Sequence, residues 1–322
     1  MIRVGIIGGA GYTGGELVRL LLRHPQCEIK FVQSRSQANR LISEIHTDLL
    51  SETDMCFSAA AEDEIDVLFL CLGHGESKKF LENTPPDHKI KIIDLSQDFR
   101  LNSPHDRLFT YGLPEFNRAK IVRAGNIANP GCFATAIQLA HLPLSAQGKL
   151  RYPLHISAIT GSTGAGQSAA PTTHFSWRHG NISLYKAFKH QHLAEIRMII
   201  KQMQNDHVPD IMMLPFRGGF TRGILAAVYT RSDMSFEQAF SLFENYYRSH
   251  PFVTISAQNP DIKMVVNTNK AILYLEKHET ELLIICVIDN LLKGASGQAV
   301  QNMNLMSGID ETCGLMLKPV AF

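Results

Sequence analysis

Residues 2–7 (Ile-Arg-Val-Gly-Ile-Ile) form a short apolar, β-rich run that ends in Gly8-Gly9-Ala10-Gly11-Tyr12-Thr13-Gly14-Gly15. Beyond the glycines, residues 16–23 carry Leu17, Leu20 and Leu21 at helical spacing. A dense apolar run, a glycine break and a three-to-four residue repeat predict strand, turn and helix in that order. A second strand is expected at 29–33, and runs 67–72 and 90–95 have the apolar density of parallel strands covered on both faces. The alternation predicts a doubly wound sheet.

From about residue 151 the pattern changes. Strand-like runs at 155–160, 211–214, 224–230, 263–266, 271–276 and 281–288 outnumber helical stretches at 187–205 and 235–249, where Ser235 followed by Gln238 resembles a capping box. The segment after Asp289 begins with glycines, reads on as a helix and is expected to return to the first domain. The expected class is therefore α/β: a Rossmann-type doubly wound parallel sheet plus an α+β catalytic and oligomerisation domain with a mostly antiparallel sheet. Residues 1–131 with 290–322 are expected to form the first domain, and 132–289 the second. No internal repeat or low-complexity linker interrupts them.

Composition agrees with two packed cores. The chain has 322 residues, and one domain accounts for about 150. Hydrophobic residues make up 45% and charged residues 19%, below the common share of about 25%, which argues against disorder. The formal net charge of +1 provides no global field for nucleic acid or an anionic membrane, so neither is expected as a partner. Any anionic ligand must meet a local constellation. The apolar stretches fall short of the 18 or more residues of a membrane helix, and glycines interrupt the start of the chain where a leader would need an unbroken apolar segment. The mature chain is expected to start at Met1. Cysteines at 27, 56, 71, 132, 286 and 313 contain no CxxC pair and no histidine at ligand spacing, so a reduced, cytoplasmic setting without a zinc site is expected.

Several residues can carry chemistry. Gly8, Gly11 and Gly14 make a GxxGxxG turn between strand and helix, the context in which backbone amides of the turn and of Tyr12 and Thr13 hold a pyrophosphate. A turn selected only for packing is the alternative. About 20 residues past the last glycine, where an NAD site presents an acid to the ribose 2′-OH, stand Ser34 and Arg35, which suit a 2′-phosphate. Cys132 follows Asn129-Pro130-Gly131 at the start of a helical run, where the helix dipole and free amides favour a thiolate and can stabilise an oxyanion. A small buried apolar residue is the plain alternative, and it is the role expected for the other five cysteines. Thr160-Gly161-Ser162-Thr163-Gly164-Ala165-Gly166 is a second glycine-rich loop, either functional or a flexible crossover. His190 and His192 precede a helix, and Arg217 and Arg222 flank Gly218 to Thr221, where an arginine fork can reach a carboxylate or phosphate. Solvated surface side chains are the alternative for both pairs.

In order, these motifs resemble the N-acetyl-γ-glutamyl-phosphate reductases, the arginine-pathway branch of the family that also holds aspartate-semialdehyde dehydrogenase. The resemblance runs over nearly the whole chain. It rests on residues 8–16, Ile93-Asp94-Leu95-Ser96 with Asp98-Phe99-Arg100, Tyr111-Gly112-Leu113-Pro114-Glu115, Asn129-Pro130-Gly131-Cys132, the 160–166 loop, His190-x-His192, Arg222-Gly223-Ile224 and residues 289–304. It departs at Gly73, Ala194, Gln167 and 266–269, positions that bear on the acyl-group pocket more than on the chemistry.

The resemblance implies Cys132 as nucleophile, His192 as acid/base and His190 in a supporting, substrate-binding position. It also implies NADP(H) contacts from the 8–14 loop, from Ser162, Gly164 and Ala165, and from Asn290 and Gln298. Thiolate attack on the acyl phosphate would give a thioester and inorganic phosphate, and hydride from NADPH would then lead to the aldehyde. Arg222 is the residue expected to hold a substrate anion. A homo-oligomer, dimer or tetramer, is expected. Alternatives are an N-succinyl substrate, an aspartate-semialdehyde dehydrogenase, or a catalytically silent NADP-binding sensor.

Overall fold

The computed structural model describes residues 1–61, 64–101, 105–205 and 207–320. Ala321 and Phe322, at the end of the segment expected in the first domain, lie outside them. Among the described residues the chain divides into two compact units, Met1–Gly131 with Ala295–Met316, and Cys132–Gly294 with 317–320.

The first unit is built on a wholly parallel sheet of β1 (Ile2–Ile7), β2 (Cys27–Gln33), β3 (Val67–Leu70), β4 (Lys91–Asp94), β5 (Thr110–Tyr111) and β6 (Asn126–Ala128). Its spatial order is β2-β1-β3-β4-β6-β5. Val67 to Leu70 are all buried, as a strand covered on both faces requires. The order reverses between β1 and β3, and it is outside the carboxyl ends of strands at such a switch point that doubly wound sheets bind ligands. Helices α1 (Tyr12–Leu22), α2 (Ile42–Ile45), α3 (Glu76–Asn83) and α4 (Pro114–Val122) make the crossovers.

The second unit opens with α5 (Cys132–Ala146), in which residues 133–145 are all buried. Pro143 has no N–H to donate to the carbonyl of Leu139 four residues back. The hydroxyl of Tyr247 donates to that oxygen instead, at 2.5 Å. Strands β7 (Leu154–Thr160), β8 (Ser183–Leu184), β9 (Ile211–Arg217), β10 (Ile224–Arg231), β11 (Val253–Ile255), β12 (Ala271–His278) and β13 (Glu281–Ile288) form one mixed sheet in the order β11-β12-β13-β10-β7-β9-β8. Two of its pairings, β11 with β12 and β7 with β9, are parallel and the other four antiparallel. After the short α6 (Phe175–Arg178), α7 (His192–Met203) packs on α5, and α5 in turn on β10, β13 and α8 (Phe236–Tyr247). Ser235 caps α8 as expected: its Oγ accepts from the Gln238 N–H at 3.3 Å, and the Gln238 Oε1 accepts from the Ser235 N–H at 2.9 Å. The chain then rejoins the first unit in α9 (Ser296–Met306), which packs on α1 and α4.

Two expectations are corrected. Residues 263–266 are not a strand: the Asp261 carboxylate accepts the Lys263 N–H at 2.8 Å and closes a 3₁₀ turn at Ile262–Met264. The helix expected from residue 187 starts at His192, because Lys186 (φ 46°) and Phe188 (φ 59°) take left-handed backbone that no helix contains.

Among the described residues no helix is long and apolar enough to cross a membrane.

Candidate active site

Cys132 is the first residue of α5, and no acidic side chain stands in that helix's first turn to compete for its amides. Phe133, beside it, packs edge-on against His190 at 5.3 Å between centroids and against His192 at 6.4 Å. The two imidazoles lie 4.6 Å apart, and Tyr185 stands 5.8 Å from His190. The sequence pattern His-x-His thus arrives against the residue that follows the cysteine, with both rings about nine-tenths or more buried. His190 Nδ1 accepts the His192 backbone N–H at 3.3 Å, which leaves Nε2 of a neutral ring to carry the proton.

Burial, reinforced by the charges of Lys186 and Arg217, pushes His190 down to about 4. It is therefore a neutral hydrogen-bond donor rather than a cation at neutral pH. Arg217 stacks over the Tyr185 ring at 4.7 Å, and burial with the nearby Cys132 holds the Tyr185 hydroxyl up at about 12. Tyr185 and Lys186 carried no motif. Their only sequence signal is proximity to His190, five and four residues ahead of it.

The other thiols differ from the expectation in one respect. Cys27 and Cys286 are buried and Cys71 and Cys313 half-buried, but Cys56 is exposed. Its backbone pairs with Leu41 in an isolated bridge, which leaves the side chain outside the core. Burial pushes the Cys27 and Cys71 thiols up to about 12, which makes them poor nucleophiles.

The 160–166 loop is not a free crossover. Ser162 and Thr163 donate their N–H groups to Phe220 and Thr221 carbonyls at 2.8 and 3.1 Å, and Thr163 Oγ1 donates to the Thr221 carbonyl at 2.6 Å. A side chain at Gly161 would lie 2.3 Å from that oxygen. Ser162 and Ala165 are left half-buried and Gly164 exposed.

Asn290 is spent inside the second unit, accepting from the Gly223 N–H at 2.8 Å and donating to Thr163 Oγ1 at 3.0 Å. Arg222 turns its Nε and Nη2 to Asp289 at 3.1 and 3.0 Å, so the edge of the guanidinium expected to meet substrate holds a carboxylate of the protein itself.

In the first unit, the glycine turn follows β1 at the switch point. Gly8 (φ 82°) lies so near Cys71 that a Cβ would come within 2.6 Å of its carbonyl oxygen, and a Cβ on Gly14 would meet Gly9 at 2.6 Å. A Cβ on Gly11 would make only an ordinary contact, 3.7 Å from the Gly8 carbonyl oxygen; Gly11 forms the uncapped N-terminus of α1, leading into Tyr12 and Thr13. Its amides are those a helix cannot satisfy internally. Ser296 Oγ donates to the Thr13 carbonyl at 2.9 Å, which brings the starts of α9 and α1 together. Gln298, one turn into α9, is fully buried with neither amide atom bonded to a described residue. An unmet buried amide costs about 1–3 kcal/mol, so this residue fits a polar ligand that completes it.

At the end of β2, Ser34 is buried and Arg35 exposed, and Arg35 makes no ion pair with the described residues. Arg40 is already engaged by Glu44 and Gln37 at 2.9 and 2.8 Å. Among the described residues no His, Cys, Asp and Glu side chains cluster as metal ligands.

A parallel sheet with a glycine turn, followed by a helix-start cysteine beside paired histidines, is the arrangement of a semialdehyde dehydrogenase. Two family models match: "Semialdehyde dehydrogenase, NAD binding domain" over residues 3–124 and "Semialdehyde dehydrogenase, dimerisation domain" over residues 132–290. Among relatives, the chain is 53% identical to an N-acetyl-gamma-glutamyl-phosphate reductase of Parabacteroides distasonis and 54% identical to one of Azobacteroides pseudotrichonymphae, in each case over 100% of both chains. It belongs to the N-acetyl-gamma-glutamyl-phosphate reductase family.

Solved structures share the fold at low identity. Aspartate semialdehyde dehydrogenase II of Vibrio cholerae superposes with a TM-score of 0.72 at 15% identity, covering 96% of this chain and 98% of that one. The Candida albicans aspartate semialdehyde dehydrogenase gives 0.68 at 13%, covering 95% and 98%.

Proposed function

We propose that the chain reduces N-acetyl-γ-glutamyl phosphate to N-acetylglutamate 5-semialdehyde with release of phosphate, using NADPH and a Cys132 thioester. The observation that carries this reading is Cys132 at the first turn of α5 with His190 and His192 packed on the adjacent Phe133.

The helix start favours negative charge on sulfur, and the same free amides can receive the oxygen of an attacked acyl group. The Cys132 sulfur attacks the acyl carbon, the C–O bond to phosphate breaks and inorganic phosphate leaves. When bound, the nicotinamide cofactor supplies the hydride that reduces the acyl group. His192 delivers the proton to the carbonyl oxygen as the thiohemiacetal forms, and removes it in the reverse direction. His190, neutral and tautomer-fixed, orients the substrate by donation from Nε2. Arg217, beside Tyr185, provides the positive charge for a substrate anion.

In the first unit Gly8, Gly11, Tyr12, Thr13, Gly14 and Gln298 would hold the cofactor. Ser34 and Arg35, with no acid at the end of β2, favour NADP over NAD.

The face of the second-unit sheet away from α5 presents Met212, Leu214, Phe216, Leu225 and Tyr229 half-buried or exposed. An apolar sheet face of this kind is an association surface, and a homo-oligomer formed through it agrees with the description of the matched dimerisation domain. Sedimentation gives the order of the assembly.

The reaction is tested in reverse, with phosphate and NADP or NAD, on N-acetyl- and N-succinyl-glutamate semialdehyde and on aspartate semialdehyde. The reading expects turnover of the N-acetyl compound with NADP. Preference for the N-succinyl compound reassigns the acyl group, preference for aspartate semialdehyde contradicts the reading, and no turnover of any supports a silent binding protein.

A further inference from the structure

We propose that Arg222 is a positioning residue for Cys132: paired with the buried Asp289, it fixes the 289–294 turn on which the start of α5 is seated. The proposal rests on the assignment of Cys132 as nucleophile.

Asp289 follows β13 and has no exposed surface, while the Arg222 side chain is 17% exposed. Arg222 meets one carboxylate oxygen from two nitrogens, Nε at 3.1 Å and Nη2 at 3.0 Å. The same oxygen accepts the Asn267 N–H at 2.7 Å, and the other accepts the Leu291 and Leu292 N–H groups at 2.8 and 3.1 Å. The carboxylate therefore organises the first half of the turn, and the guanidinium supplies the opposite charge that a carboxylate removed from water needs.

The second half of the turn reaches the nucleophile. Gly294 donates its N–H to the Asp289 carbonyl at 2.9 Å. A Cβ on Gly294 would stand 2.8 Å from Cys132 Cβ and 2.6 Å from the Asn290 carbonyl oxygen, so the turn lies against the nucleophile's own side chain with no intervening space. Asn290 adds a second tie by accepting the Gly223 N–H at 2.8 Å, next to Arg222. Arg222, Asp289, the turn and Cys132 thus form one contiguous chain of contacts within the second unit. A shift at the ion pair has no slack in which to be absorbed before it reaches the sulfur.

A residue that binds substrate and one that positions the nucleophile separate in kinetics and in thiol chemistry. The test uses full-length Arg222→Met, Arg222→Lys and Asp289→Asn. It measures kcat and KM for the acyl phosphate, inhibition by inorganic phosphate, and the rate at which iodoacetamide alkylates Cys132, followed by peptide mass. A helix-start thiol owes its reactivity to its placement. Arg222→Met is expected to lower kcat at least about tenfold with KM and phosphate inhibition changed less than about threefold, and to slow alkylation by a similar factor. Asp289→Asn should reproduce the loss, the double variant should be no worse than either single one, and Arg222→Lys should recover part of it.

A loss confined to KM and phosphate inhibition, unchanged or faster alkylation, or additive losses overturns the proposal. If Arg222→Met fails to fold, Arg222→Lys and Asp289→Asn carry the same comparison. The alkylation rate requires no turnover. Cys132→Ala tests the nucleophile assignment separately, because residual activity there defeats that assignment while leaving the alkylation result to stand or fall alone.

Discussion

Acid should weaken the second unit by a calculable amount. His141, fully buried in α5, is pushed down to about 3 by burial, and His190 to about 4 by burial and the charges of Lys186 and Arg217. In the unfolded chain a histidine titrates near 6.5. Both folded values lie below the unfolded one, so the stability is fully present above about pH 6.5 and is lost as the pH falls towards the folded values. At pH 5 the unfolded imidazoles are almost wholly protonated while the folded ones remain largely neutral. The difference is about 2 kcal/mol for each, or about 4 kcal/mol for the pair relative to pH 8. Asp94, raised to about 6 by burial, works in the opposite sense below neutrality, but it belongs to the first unit. The chain's single tryptophan, Trp177, lies in the second unit, so its fluorescence reports that unit. With a urea dependence of about 2 kcal/mol per molar, the midpoint at fixed protein concentration should fall by about 2 M between pH 8 and pH 5. His141→Gln should remove about half of that fall. A shift under about 0.5 M, or a variant that keeps the whole pH dependence, refutes the reasoning.

Three further outcomes are expected. Tyr247→Phe removes the hydroxyl that donates to the Leu139 carbonyl freed by Pro143, and should cost about 1–3 kcal/mol in the same fluorescence melt, with kcat unchanged. His192→Asn should lower kcat by about 10²–10⁴-fold and His190→Asn by less, as stopped-flow reduction would show; the reverse ranking would exchange their roles. Arg35→Ala should reduce kcat/KM with NADP at least about tenfold and leave NAD kinetics nearly unchanged, whereas equal losses would make Arg35 structural.

Legibility in the sequence followed the range of the interaction. The central strands of both units announced themselves through apolar runs, and the glycine turn through steric need: Gly8 and Gly14 sit where a Cβ would collide with backbone. The strand wrongly expected at 263–266 is apolar enough for the role, but the Asp261 side chain captures the local backbone first. The late start of α7 was hidden because the left-handed residues ahead of it, Lys186 and Phe188, are not glycines. Strands β5, β6, β8 and β11 have two or three residues each, too few to show a period.

In the site, the helix-start placement of Cys132 was legible from the local Asn129-Pro130-Gly131 motif, and the closeness of the histidine pair from its His-x-His spacing. The pairing of Arg222 with Asp289 was not, because the two are 67 positions apart and only the folded sheet brings them together. The same distance problem concealed Tyr185 and its stacking with Arg217, which depends on β9 and the turn ahead of His190.

The most direct test of the central claim is to mix the enzyme with N-acetyl-γ-glutamyl phosphate without cofactor, quench, and measure released phosphate together with the mass of the Cys132 peptide. The account predicts a burst approaching one phosphate per subunit and an N-acetylglutamyl adduct on Cys132, both absent in Cys132→Ala. No burst with the intact thiol, or an adduct on another residue, contradicts it.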